Sequence, residues 1–292
     1  MYVRVLSPFT ASDGENLALY SWHPEDSAKP MGQQGVQTRG VVLIVHGLGE
    51  HSGRYDHVAR SLRHWGFEVC AYDQRGHGES GGKPGALPSH TSLLDDLADV
   101  VDHTRMHYPA LPLILLGHSM GGLVVGRFVS LGIRPVDALV MSSPALDAGL
   151  GTFQKWLLKV LLRVAPNLCV GNGLDANFIS HNPQVVKAYL ADRLGHNKIS
   201  PRLGQFIATA GPATVAEAVR WQTPTLLMYA GADKLVNPAG SHRFLKLSAA
   251  SPAVKPGTIA AKCFDGYYHE IFNESQPAPV FKMLKTWLDT RF

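Results

Sequence analysis

Three residue types that can together break an acyl bond occur in the chain in the order Ser119, Asp233, His269. Ser119 lies within Gly117-His118-Ser119-Met120-Gly121, after the apolar run Leu113 to Leu116 and before Leu123, Val124 and Phe128 at helical spacing. A short, bulky apolar run suits a strand buried on both faces of a parallel sheet. The glycines remove side chains where strand and helix come close, so the turn can be sharp enough to project the Ser119 hydroxyl. A serine hydroxyl is a weak nucleophile, and an imidazole about 3 Å away must take its proton and return it to the leaving group. Beyond Asp233 the chain holds His242 and His269, and His242 falls inside an apparent helix, "SHRFLKL". His269, in "DGYYHEIFNE", is the expected base, and Asp233, in "GADKLVNP", the carboxylate that fixes its tautomer. The expected oxyanion donors are the backbone N–H groups of Met120, which follows the nucleophile, and Leu48, in the Gly-rich loop "HGLGEHSGRY". That loop lacks the G-x-x-x-x-G-K-[ST] pattern of a phosphate cradle.

Positioning these groups requires an open parallel sheet, where functional side chains gather at the carboxyl ends of the strands. "VVLIVHG" (41–47), "FEVCAYD" (67–73), "PLILLGHS" (112–119), "VDALVMSSP" (136–144), "PTLLMYAG" (224–231) and "GTIAAKCF" (257–264) read as strands. Helical patterns separate them, after an initial pair of short strands near 2–8 and 16–23 joined by "TASDGEN". The alternation predicts a largely parallel, doubly wound α/β sheet. "KPMGQQGVQTRG" reads as an exposed loop. Between 147 and 215 there is no strand signal, only helical patterns and Pro/Gly breaks, too long for one crossover. This predicts a core in two parts, 1–146 and 216–292, with a helical cap inserted at 147–215.

Composition excludes several other classes. With 292 residues and 45% hydrophobic content, the chain can bury a substantial core. Its net charge is +4 and no Lys/Arg run resembles a nucleic-acid patch, so no nucleic-acid partner is expected. Cys70, Cys169 and Cys263 are far apart, with neither C-x-x-C nor zinc-site spacing, and read as core thiols of a reducing compartment; no metal is expected. "MYVRVLSPFTASDG" lacks the layout of a signal peptide, and no apolar run reaches about 18 residues, so a cytoplasmic location is expected. Asp73 and Arg75 in "DQRGHGES" read as structural partners tying down a turn, and Asp95, Asp96, Asp99 and Asp102 as a solvated helix face. His90 and Asp95 have the gap of a glycerolipid acyltransferase motif but sit in an apparent helix start, and the match is taken as chance.

Taken together, "HGLGEHSGRY", "DQRGHGES", "GHSMGG", "GADKLV", "YHEIFNE" and the cap segment "NPQVVKAYLADRLGHNKIS" resemble the monoacylglycerol lipase and lysophospholipase family of α/β-hydrolases, with its S33-like hydrolase domain. The resemblance covers nearly the whole chain. It implies an α/β-hydrolase fold with an eight-stranded, mostly parallel sheet, and hydrolysis of one fatty acyl ester from a monoacylglycerol or similar lipid, without metal or cofactor. A lysophospholipase or an acyltransferase would use the same triad, whereas a noncatalytic binding protein of this fold would lack part of it. The family's contacts to the glycerol side map onto Glu50 and Arg54. Animal lipases of the family carry a second histidine three residues beyond the catalytic one, where this chain has Phe272. In "TFQKWLLKVLLRVAP" (152–166), a helix would set Lys155, Lys159 and Arg163 on one stripe flanked by Leu158 and Leu162. Phe153, Trp156, Leu157, Val160, Leu161 and Val164 would then line the acyl tunnel, and the basic, aromatic-bearing helix would give the cap a peripheral membrane contact.

Overall fold

The computed structural model describes residues 2–24 and 38–292; most of the segment "KPMGQQGVQTRG" lies outside the described residues. The first two strands, β1 (Tyr2–Thr10) and β2 (Asn16–Pro24), form an antiparallel hairpin at one edge of the sheet. Six strands follow in parallel, β3 (Gly40–Val45), β4 (Phe67–Tyr72), β5 (Leu113–His118), β6 (Ala138–Ser142), β9 (Thr225–Ala230) and β10 (Ile259–Phe264). The spatial order is β1-β2-β4-β3-β5-β6-β9-β10, and β2 meets β4 antiparallel. β3, β5, β6 and β9 are buried at every residue, as expected for continuous apolar runs covered on both faces. Two core clusters fill the two faces. Val41, Leu43, Leu115 and Leu139 belong to one, Val42, Ile44, Ile114 and Val140 to the other, following the period of two along each strand.

This order creates the site. From β3 the chain steps outward to β4 and then returns to the other side of β3 as β5, which makes the gap between β3 and β5 a topological switch point. The loops leaving β3 and β5 therefore face each other across a crevice, and Val45 and Gly117 are register partners at its floor. Helices α1 (Asp56–His64), α2 (Ser92–His107) and α3 (Met120–Ser130) make the crossovers among these strands, with α7 (Ala239–Ala250) and α8 (Ala278–Asp289) nearer the C-terminus.

Between β6 and β9 the chain forms α4 (Thr152–Val164), α5 (Pro183–Ala191) and α6 (Pro201–Ala216). It is not free of strand as its sequence implies: β7 (Val170–Gly171) pairs antiparallel with β8 (Lys198–Ile199). Two-residue strands are too short to leave a periodic signal. Leu203, Phe206, Ala210 and Val215 of α6 are buried in the same cluster as α3 and β5.

Two local expectations need correction. Asp96 is not on a solvated face: it is 1% exposed and takes two hydrogen bonds from Arg75, at 3.0 and 2.6 Å. Asp95 is exposed, whereas Asp99 accepts the Ser12 N–H and Asp102 pairs with Arg134. Arg75 and Asp73 each tie down structure, but not each other. Arg75 also holds Asp13, while Asp73 accepts from Ser52 N–H, Tyr20 hydroxyl and Glu79 N–H. All three cysteines are free and half-buried. Removing Arg75 would strand the Asp96 carboxylate, so Arg75→Ala should cost about 3–5 kcal/mol in urea unfolding. Asp95→Ala should stay within about 0.5 kcal/mol. Similar small losses for both would contradict the buried pairing.

Candidate active site

Ser119 stands at the end of β5 with φ 55° and ψ −118°, a left-handed conformation that side chains other than glycine seldom adopt. Its neighbours make the turn feasible: a Cβ on Gly121 would collide with the Val45 and His46 carbonyls, and one on Gly117 with the Gly121 backbone. The helix α3 thus starts in contact with β3, and Ser119 Oγ points into the crevice. His269 Nε2 lies 2.7 Å from Ser119 Oγ, and its Nδ1 lies 2.7 Å from Asp233 Oδ2. Asp233 is itself fixed, since its other oxygen accepts the N–H groups of Leu235 and Val236 at 2.8 and 3.0 Å. His242 is elsewhere, against Tyr229.

Burial alone would push the pKa of His269 down. The charge and hydrogen bond of Asp233, with Glu270 and Glu50 behind them, outweigh it and raise the pKa above 6.5. Burial likewise pushes Asp233 up, but His269 and the two backbone N–H groups hold it below its usual range. His118 packs 4.7 Å from the His269 ring and is pushed the other way, to about 4, by burial and by the charge on His269. The two neighbouring imidazoles are thus pushed in opposite directions.

The backbone N–H groups of Leu48 and Met120 donate to no acceptor among the described residues, and both residues border a cavity that Ser119 also borders. The Gly47 N–H is engaged instead, donating to Glu50 Oε1 at 2.6 Å. Glu50 also accepts from Tyr55 hydroxyl and from Arg54, each at 2.6 Å, and Arg54 closes a two-pronged pair with Glu270 at 2.6 and 2.7 Å. Glu50 therefore does line the crevice, while Arg54 lies behind it, stacked on Tyr189 at 4.8 Å. The sequence carried no hint of Glu270, Tyr189 or His118 in this network, because their roles arise from contacts across the fold.

Two cavities meet at Ser119. One, of about 340 Å³, is apolar, with Leu157, Leu158, Leu161, Ile199, Ile207 and Val236 among its walls. The other, of about 270 Å³, is more polar but mixed, taking in Glu50, His118, Asn172, Asn177, Tyr189 and Glu270 beside Leu174, Ile179, Leu190 and Leu235. Of the six cap residues expected to line the acyl tunnel, Leu157 and Leu161 border the apolar cavity; Val160 and Val164 do not, and neither do Phe153 and Trp156. They are 71% and 57% exposed and stack on each other on the outer surface, and Val160 and Val164 also face outward. α4 turns Leu158 inward, where its Cδ1 packs over Gly204 on α6 and it borders the apolar cavity. Phe272 is buried against Phe281 and faces neither cavity. No group of three or more potential metal ligands occurs among the described residues.

Residues 36–276 match the family described as serine aminopeptidase S33. A "Monoacylglycerol lipase" of Mycolicibacterium smegmatis is 36% identical over 253 residues, 86% of this chain and 88% of that protein. "Phospholipase YtpA" of Bacillus subtilis is 32% identical over 85% of this chain and 95% of its own. The crystal structure of Paleococcus ferrophilus monoacylglycerol lipase superposes with a TM-score of 0.78 at 32% identity, over 100% of both chains.

The raised pKa of His269 sets a pH dependence. Only neutral imidazole can take the Ser119 proton, so reactivity should be full at higher pH and lost as pH falls through a value above 6.5. The rate of fluorophosphonate labelling against pH measures this. Asp233→Asn removes the main charge that raises the pKa, so the bend should move to lower pH and kcat should fall on the order of 10⁴. A wild-type bend at or below that of ordinary histidine would contradict the geometry.

Proposed function

The chain belongs to the serine aminopeptidase S33 family, and on that premise we propose that it cleaves monoacylglycerols by way of an acyl-enzyme on Ser119. It is a lipid ester hydrolase of the α/β-hydrolase type. The observation that carries the substrate is the meeting at one serine of an apolar cavity and a second, more polar one that holds the Glu50 and Glu270 carboxylates. A single acyl chain fits the first and a small hydroxylated alcohol the second.

Ser119 Oγ attacks the ester carbonyl carbon as His269 Nε2 takes the hydroxyl proton, and the carbonyl oxygen becomes an anion directed at the Leu48 and Met120 N–H groups. Collapse of this intermediate breaks the bond to the alcohol, which leaves with the proton from His269. Water then enters, His269 takes its proton, and hydroxide adds to the acyl carbon. The fatty acid departs and the proton returns to Ser119 Oγ. Asp233 stabilises the imidazolium in both halves without being protonated.

The polar cavity favours a neutral alcohol over a phosphate-bearing one. Glu50, Asp175 and Glu270 border it, and among the described residues it has no Lys or Arg wall. On monoacylglycerol, Ser119→Ala should lower kcat on the order of 10⁶ and His269→Ala about as much, because the triad acts as a unit. His242→Ala should be nearly silent. Lysophosphatidylcholine of the same acyl chain should be the poorer substrate by kcat/KM, and a preference for it would refute the assignment of the polar cavity.

The outer face of α4 supports contact with a lipid surface. Phe153, Trp156, Val160 and Val164 are exposed there, with Lys159 and Arg163 also exposed on the same helix. No helix among the described residues is long and apolar enough to cross a membrane. Phe153→Asp with Trp156→Asp should weaken sedimentation with anionic vesicles and lower activity on dispersed long-chain monoacylglycerol several-fold. A soluble short-chain ester should be spared. Equal loss on both substrates would mean the aromatic pair only supports the helix.

A further inference from the structure

A backbone N–H has no rotamer of its own; the peptide planes on either side aim it. Leu48 is held on its N-terminal side by the Glu50 carboxylate on Gly47 N–H. On its C-terminal side Gly49 and His51 are held from the segment inserted between β6 and β9, while core residues hold Glu50, through Tyr55 and Arg54, and the Ser52 N–H, through Asp73. Gly49 has φ +76°, and its carbonyl accepts the His196 N–H at 2.9 Å. A side chain at 49 would collide with the His196 carbonyl, so the two backbones are in direct contact. Two residues on, His51 Nδ1 accepts the Gly53 N–H at 3.2 Å. That network assigns the ring proton to Nε2, which donates to Asp192 Oδ2 at 2.8 Å.

Asp192 does two things at once. Its Oδ1 accepts the Leu194 N–H at 2.9 Å and so shapes the turn that delivers His196 to Gly49, while its Oδ2 grips His51. The His51 side chain is 8% exposed and that of Asp192 27%, so the contact is partly shielded from water. One carboxylate from outside the core thus acts on the loop at two places, directly at His51 and at Gly49 through the turn that ends in His196.

We propose that Asp192 is a positioning residue for the oxyanion hole, aiming the Leu48 N–H through His51 and through the turn that ends at His196. The cap would then contribute to the chemical step as well as to access. The inference rests on Leu48 being an oxyanion donor to an acyl-enzyme chemistry at Ser119. Loss of one such donor costs about 10²–10³ in kcat, and misaiming it costs part of that.

Asp192→Ala should therefore lower kcat/KM about ten- to a hundredfold, by the same factor for a short-chain and a long-chain ester. Affinity for a trifluoromethyl ketone, which forms a tetrahedral adduct with a nucleophilic serine, should fall in parallel. Affinity for an alkyl glyceryl ether, which has no carbonyl, should be unchanged. Asp192→Asn keeps an oxygen for Leu194 but offers His51 only an NH2 group, and it should show most of the loss; it decides the matter if the alanine variant fails to fold. Unchanged ketone affinity in a folded variant would overturn the proposal, as would a loss confined to the long-chain ester. Failure of the wild type to take a fluorophosphonate on Ser119 would instead overturn the underlying reaction, so the two failures are distinguishable.

Discussion

The turn at Ser119 is the constraint on which the rest of the site depends. Holding a serine at φ 55° costs on the order of 1–3 kcal/mol, and such strain persists only where surrounding contacts over-determine it. They do so here. The Ser119 N–H donates to Ser142 on β6, its carbonyl accepts from Leu123 in α3 and Ala145, and Gly117 and Gly121 admit a helix against β3 where any side chain would collide. A strand buried on both faces fixes one side of the turn and a buried helix the other, so the hydroxyl is aimed before any substrate arrives.

Charge is arranged around that hydroxyl with a net sign. Glu50 and Glu270 share the guanidinium of Arg54, which leaves the buried network negative near His269, whose Nδ1 faces Asp233. In the proposed reaction an imidazolium forms at His269 during each proton transfer. The negative field is in place beforehand and needs no solvent reorganisation, which is where an enclosed site gains most over water. Burial alone would lower the pKa of His269, and the fact that it rises gives the sign of the balance.

Much of this was legible in the sequence because it is local. Strand, glycine turn and helix lie within Leu113 to Phe128, and parallel strands advertise themselves as unbroken apolar runs, so all six parallel strands fall where the pattern puts them. Ser119, Asp233 and His269 follow from loop positions at strand ends. Partners distant in sequence did not declare themselves. Asp96 looks like one of four acidic residues on a helix, and only the fold brings it to Arg75. The inward face of α4 is not legible in the sequence because apolar residues surround most of that helix, and only its packing over α6 selects the ones that turn in. Asp192 and His196 lie about 140 positions from the loop they hold, and no spacing rule reaches that far.

The central claim is that a lipid acyl group passes through a covalent bond to Ser119. Its most direct test is peptide mass spectrometry on protein acid-quenched during turnover of monooleoylglycerol. The account predicts an oleoyl mass increment on the peptide containing Ser119 and on no other, with none in the absence of substrate. Turnover with no acylated peptide under conditions that trap a bound control acyl group, or an acyl group on a different residue, would contradict it.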